Sequence, residues 1–245
     1  MAHYKVILAY DGTHFQGFQR QGTHRTVQAE VETALRGLNW GGRAILSAGR
    51  TDTGVHAAGQ VAKFDLDWPH PTEALVMALN ANLPEDVAVK SAEVVGEDFH
   101  PRYDARERCY RYRIYLSPHR DPLRERFAWR VWPAPGLDLL QAAAQRLTGR
   151  HDFAAFGNPP RAGGSTERVI FSCGWEAEGD ELRFEVRGNA FLYHMVRRLV
   201  YIQVQAGQNR LSLEAIEEAV LQARPLPPGL AAPQGLVLWE VRYGI

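Results

Sequence analysis

Two periodicities alternate along this chain, and their order constrains the fold more than any single residue does. From His3 to Tyr10 apolar and polar residues alternate as in a half-buried strand. After Thr26, which reads as a helix N-cap, Val27, Val31, Leu35 and Leu38 fall on one helical face. Arg43–Ala48 and Gln60–Leu66 read as strands separated by a glycine-bounded turn; Pro71 opens a helix to about Asn80, and Val87–Val94 reads as a strand. The second half repeats this order: strand Arg106–Leu116, helix Leu137–Leu147, strands Thr166–Ala177 and Leu182–Arg187, helix Phe191–Gln205, strand Leu236–Tyr243. A further helix, Leu211–Ala223, is inserted. The expected fold is α+β: two ferredoxin-like (split βαβ, RRM-like) halves, 1–100 and 101–245, with adjoining antiparallel sheets and a cleft between them. His119–Arg126 and the Gly- and Pro-rich His151–Ser165 read as flexible or functional loops.

Composition narrows the class. With 45% apolar and 23% charged residues, the 245-residue chain suits a globular protein with a substantial core and excludes disorder, collagen and coiled coil. Its 28 basic and 28 acidic side chains cancel, so bulk charge argues for no partner. No basic segment followed by a long apolar run opens the chain, so neither export nor a membrane span is expected, and a cytoplasmic location is. Cys109 and Cys173 have no Cys-x-x-Cys spacing and no Cys/His cluster nearby. They read as core thiols, with neither a metal site nor a disulfide framework.

Locally the charge is uneven. Nine arginines (102, 106, 108, 111, 113, 120, 124, 126, 130) stand against four acids between His100 and Arg130. Arg108, Tyr110 and Tyr112 share one strand face, which suits stacked bases and phosphates, although a charge run taken alone favours a solvated strand whose aromatics fill the core. The segment Asp11–Arg25 interleaves Phe15, Gln16, Phe18, Gln19, Arg20, His24 and Arg25. That composition suits single-stranded RNA, or a loop pinned to the core by its phenylalanines. Arg197 and Arg198 lie beside apolar Met195 and Leu199, so at least one must find a partner or reach solvent.

Ala48-Gly-Arg-Thr-Asp-Thr-Gly-Val-His56 is the most informative stretch. Glycines 49 and 54 permit a tight turn, and Asp52 beside Arg50 can serve as nucleophile or base, or as the centre of a structural Asx turn. Asp52-Thr-Gly54 matches the aspartic protease triplet. It follows Arg50-Thr51 rather than an apolar strand end, however, and only a homodimer would supply a second copy. Tyr10-Asp-Gly-Thr13 is similar to a haloacid dehalogenase phosphatase motif, but Ala9 stands where the nucleophilic aspartate would be.

Taken whole, the chain resembles the tRNA pseudouridine synthase A family. The resemblance rests on the Asp52 stretch with Gly59-Gln-Val61, Tyr10–Thr13, Gly17–Gln21, Thr26–Gln28, Leu79–Pro84, Asp98–His100 with Arg102, and Tyr110–Tyr112. It extends through Gly149–Phe153, Asn189–Phe191, His194–Arg197 and Ala232–Leu236, almost end to end. It implies a cofactor-free isomerase, without metal, acting on uridines 38, 39 and 40 of the tRNA anticodon stem-loop, as a homodimer of chains with two ferredoxin-like halves. By motif position it implies Asp52 as the catalytic aspartate, Arg50 as the arginine assisting base flipping, Tyr110 as the aromatic packed on uracil, and Arg197 as the aspartate's partner. Phe18, Arg20, Arg108 and Arg198 are further candidates for RNA contact. The family usually has tryptophan at the place of Phe18, asparagine at Arg198 and glycine at Tyr201, departures that bear on substrate preference rather than reaction class. A non-catalytic pair of RNA-recognition modules would account for the arginines and tyrosines but gives the Arg50-Thr-Asp52 turn no purpose. An acid protease dimer using Asp52 is the third reading.

Overall fold

The computed structural model describes residues 1–159, 161 and 163–244. It is α+β and divides into two units, Met1–Arg106 with Val237–Ile245, and Glu107–Leu236. The last strand, which in sequence order closes the second half, thus groups with the first unit.

In the first unit β1 (Ala2–Tyr10) lies between β3 (His56–Leu66) and β4 (Val87–Val95), antiparallel to both. Short β2 (Leu46–Ser47) pairs antiparallel with β3. At its other end β3 meets β10 (Leu236–Tyr243) in parallel, at His56 and Ala57. The alternation in β1 buries Tyr4, Val6, Leu8 and Tyr10. Helix α1 (Val27–Gly37) buries Val27, Val31 and Leu35 as their spacing predicts, and α2 spans Thr72–Asn82. Each fully buried leucine or valine contributes about 1.5–3 kcal/mol. The expected strand Arg43–Ala48 is reduced to two residues because the Ile45 N–H turns to the buried Glu32 carboxylate (3.2 Å) instead of a neighbouring strand.

In the second unit β5 (Ala105–Leu116), β9 (Glu181–Gly188), β8 (Glu167–Glu178) and β7 (Gly149–Asp152) are antiparallel in that order, and β6 (Trp129–Val131) runs parallel to the end of β5. Helices α3 (Leu137–Leu147), α4 (Met195–Gly207) and α5 (Leu213–Gln222) complete it. Tyr112, Ile114, Phe184 and Val186 fill its core from the sheet, with Leu140, Leu147, Leu199 and Ile202 from the helices. The helix expected from Phe191 begins only at Met195, because His194 takes a left-handed backbone (φ 65) and Tyr193 bridges to Asn158. The segment expected to be flexible at His119–Arg126 is tied down. Its Arg124 binds Asp180 at 2.7 Å and lies 4.6 Å over the Tyr115 ring, and the Asp121 N–H donates to Tyr115 Oη. Of His151–Ser165, the first two residues belong to β7 and Phe153 and Phe156 are buried, while 160 and 162 lie outside the described residues.

Candidate active site

The turn bearing Asp52 sits where β3 begins, between the end of β1 and the start of β10. It is held at four points around the aspartate. The buried Gln60 amide donates to Gly49 O at 3.0 Å. Buried Tyr10 shares a hydroxyl–hydroxyl bond with Thr51 at 2.8 Å, and the Phe18 N–H donates to Thr51 O at 3.0 Å. Gly54 (φ 75) donates its N–H to Phe15 O at 3.3 Å, and Val55 closes the turn onto Asp52 O at 3.1 Å. The Asp52 side chain is half-buried. Arg50, two residues before it, is exposed, and among the described residues its guanidinium has no hydrogen bond or ion pair. The arrangement is a carboxylate on a hydrogen-bonded turn with an exposed arginine two residues before it in sequence, which suits nucleophilic or base chemistry on an anionic substrate.

Segment Asp11–Arg25 is the clamp on this turn. Gly17 has φ 81 and packs so closely that a Cβ there would lie 2.8 Å from Thr51 O, so only glycine brings the two backbones together. Phe15 and Phe18 are each 1% exposed, and Phe18 packs against Tyr10 with ring centroids 6.2 Å apart. Of the loop's candidates for RNA contact, Phe18 therefore faces inward. Arg20 directs its guanidinium to the fully buried Glu32 (2.6 Å) and to Arg43 O. Glu32 also accepts from Gln28 and the Ile45 N–H, which satisfies its buried charge. The residues exposed on the loop are Thr13, His14, Gln16, Gln19, Arg20, Gln21, Gly22, Thr23 and His24, all polar apart from the glycine.

In the second unit Tyr110 and Arg108 lie on the same face of β5 as buried Tyr112, as period two requires. Tyr110 is half-buried, with Phe191 edge-on at 5.2 Å. Arg108 donates to Asn189 O at 2.6 Å, and the Asn189 side chain in turn accepts from the Val169 and Ala190 N–H groups. Arg197, in the first turn of α4, donates through Nε to Ala231 O at 2.8 Å. The Tyr112 hydroxyl donates to the next carbonyl, Ala232 O, at 2.6 Å, and burial pushes it well above the ordinary tyrosine range despite nearby Arg197, so it stays a neutral donor.

Arg198 donates to Gly229 O at 2.7 Å and Leu226 O at 3.0 Å. The Tyr201 ring packs on Gly229, where a Cβ would fall 2.1 Å from it, so two of the departures from the family pattern act together on one segment, 226–229. Neither arginine snorkels. Both bind backbone carbonyls that sequence reasoning had no means of selecting.

Five other arginines of the basic stretch, Arg111, Arg113, Arg120, Arg124 and Arg130, face acids. On the other face of β5 and β9, Arg111 pairs with Glu185 and Arg113 with Glu181, both at 2.7 Å, and Arg187 with Glu107 and Glu185 at 2.9 Å. Burial draws the Glu185 carboxyl upward, but the bonds from Arg111 and Arg187 outweigh it and hold it below the ordinary range. Arg120, Arg124 and Arg130 pair with Glu125 or Asp180. The solvated-strand reading describes this face. Of the two expected core thiols Cys109 is buried and Cys173 only half-buried, though burial still pushes the Cys173 thiol up to about 11, the state of an inert thiol rather than a nucleophile. Among the described residues no group of three or more His, Cys, Asp or Glu is placed to hold a metal ion, and no helix is long and apolar enough to cross a membrane.

The family model described as tRNA pseudouridine synthase matches residues 6–104 and 143–244, which include Arg50, Asp52, Arg197 and Arg198, with Arg108 and Tyr110 in the gap between. The chain belongs to that family. Among its curated relatives, the proteins named tRNA pseudouridine synthase A from Myxococcus xanthus and Syntrophotalea carbinolica are 42% and 40% identical to it, over 99% of this chain and 92% and 97% of theirs. The protein of that name from Geobacter sp. (strain M21) is 39% identical over 99% of both chains.

Proposed function

We propose that the protein isomerises uridine to pseudouridine at positions 38, 39 and 40 of the tRNA anticodon stem-loop, with Asp52 as the catalytic carboxylate. The observation that carries this reading is the Asp52 turn, held at four points and bearing a half-buried carboxylate two residues after an exposed Arg50 that is unpaired among the described residues, in a chain of this family. The net reaction breaks N1–C1′, turns the uracil, forms C5–C1′, and moves the C5 proton away while N1 gains one. It is redox-neutral and needs no co-reactant. A carboxylate contributes by adding to C1′, by adding to C6, or by taking a proton as a glycal forms. Arg50 occupies the space a flipped nucleotide vacates and contacts phosphate, offsetting an unstacking cost of about a few kcal/mol. In this reading Tyr110 is the residue that packs its ring face on the detached uracil, and Arg197, whose Nε donates to Ala231 O, is the residue assigned by family position as partner of the aspartate. Arg108 and Arg198 contribute to RNA binding as positioned cations, and Phe18 and Arg20 act through the loop they hold in place.

Two ferredoxin-like halves belong to this reading; in the first unit the strand order β4-β1-β3-β2 supports it. So do a cytoplasmic location, which a tRNA substrate requires, and a homodimer. Sedimentation equilibrium should give twice the 27.5 kDa chain mass. The activity is tested with tRNA tritiated at uracil C5. Release of tritium from uridines 38–40 is expected, and RNA binding without release would favour the non-catalytic alternative.

A further inference from the structure

The loop that clamps the Asp52 turn is itself closed at one residue, Asp86, which lies outside every segment so far given a role in the chemistry. Both ends of Asp11–Arg25 meet there. The Asp11 N–H donates to Asp86 O at 3.0 Å, and Arg25 grips the Asp86 carboxylate through two parallel bonds, Nη1 to Oδ2 at 2.7 Å and Nη2 to Oδ1 at 2.9 Å. The same guanidinium lies 4.2 Å over the Phe15 ring, and its Nε donates to Glu30 at 3.0 Å. Arg25 O accepts from the Gln16 N–H at 2.9 Å. Phe15 O and the Phe18 N–H are the atoms that bond the Asp52 turn at Gly54 and Thr51, on either side of the aspartate. A forked guanidinium–carboxylate pair fixes direction as well as distance, which a lone charge does not.

We infer that Arg25 and Asp86 are positioning residues for Asp52: a clasp that fixes Phe15 and Phe18, and through them the carboxylate, without contact to RNA. Arg25 is one of the basic groups in a loop whose composition suits RNA, yet its fork is occupied by protein. Loosening the clasp lets the turn drift, and a displacement of about 1 Å at a reacting group costs on the order of a hundred-fold in rate.

The inference rests on the proposed activity, and one experiment separates the two. Steady-state tritium release from a tritiated anticodon stem-loop is measured for wild type, Asp86→Asn, Arg25→Ala, Arg25→Lys and Glu30→Gln, with circular dichroism confirming the folded state at the assay temperature. Asp86→Asn is the near-isosteric variant that keeps the test usable if Arg25→Ala does not fold. Expected are a fall in kcat of ten-fold or more for Asp86→Asn and Arg25→Ala with KM within two-fold, an intermediate kcat for Arg25→Lys, and no change for Glu30→Gln. A raised KM with unchanged kcat would make Arg25 an RNA contact and overturn the inference, as would kcat within two-fold throughout. A silent wild type would instead overturn the activity, and the clasp's role with it.

Discussion

Arg50 and the arginines of the β5–β9 face carry the same charge on exposed or partly exposed side chains, but the two regions present it differently. Arg111, Arg113 and Arg187 each meet a carboxylate within 2.9 Å, so their field is largely cancelled before any phosphate approaches. Arg50 stands in a turn with no such neighbour among the described residues. A surface ion pair contributes only about 0–1 kcal/mol to stability, but it removes a cation from the set available to an anionic ligand. The number of arginines in a segment therefore says less about RNA than the acids one strand away.

Substitution at each region sharpens this contrast. Arg50→Ala should lower single-turnover tritium release on the order of a hundred-fold and reduce the slope of log binding constant against log salt by about 0.7–0.9, one phosphate contact. A variant as active as wild type would make Arg50 another solvated arginine. Tyr110→Ala should lose activity severely and Tyr110→Phe only mildly, because the ring face matters more than the hydroxyl; equal severe losses would give the hydroxyl its own role in proton transfer. Arg198→Ala, which strips the donors from Gly229 O and Leu226 O, should cost about 1–2 kcal/mol in urea unfolding, with a smaller effect on turnover.

The Asp86 contribution should depend on pH. The hydrogen bonds from Arg25 hold its carboxyl below the ordinary 3.8, so the stabilisation is present above that value and is lost as pH falls through the lower folded-state value. The gap in thermal midpoint between wild type and Asp86→Asn should close in that acid range; a gap that widened there would reverse the assignment. The smallest effect is expected on the paired face, where Arg113→Ala should change stability by less than about 0.5 kcal/mol and leave the salt slope unaltered.

Regular elements were legible because burial imposes a period. Helix Leu137–Leu147 and strand Leu236–Tyr243 begin and end where the pattern places them. The start of α4 was not legible, since nothing in the period of Phe191–Gln205 announces a left-handed His194. Strands of three or four residues, β6 and β7, are too short to show an alternation. Residue types made Arg50, Asp52 and Tyr110 candidates in the sequence, but the bonds around the candidate residues were not legible there. Tyr10 meets Thr51 across 41 positions, and Arg197 and Arg198 bind carbonyls of Ala231, Gly229 and Leu226 that any residue could have supplied. Similarity to the family had marked several of these segments without assigning them work. In the structure Tyr10–Thr13 and Gly17–Gln21 buttress the turn, and Ala232–Leu236 receives the Tyr112 hydroxyl.

The central claim, that the Asp52 carboxylate performs the chemistry, is tested most directly by Asp52→Ala and Asp52→Asn in a single-turnover assay on C5-tritiated tRNA, with binding of the same RNA measured in parallel. The account predicts no detectable release from either variant and affinity within a few-fold of wild type. Tritium release at the wild-type rate by either one would contradict it.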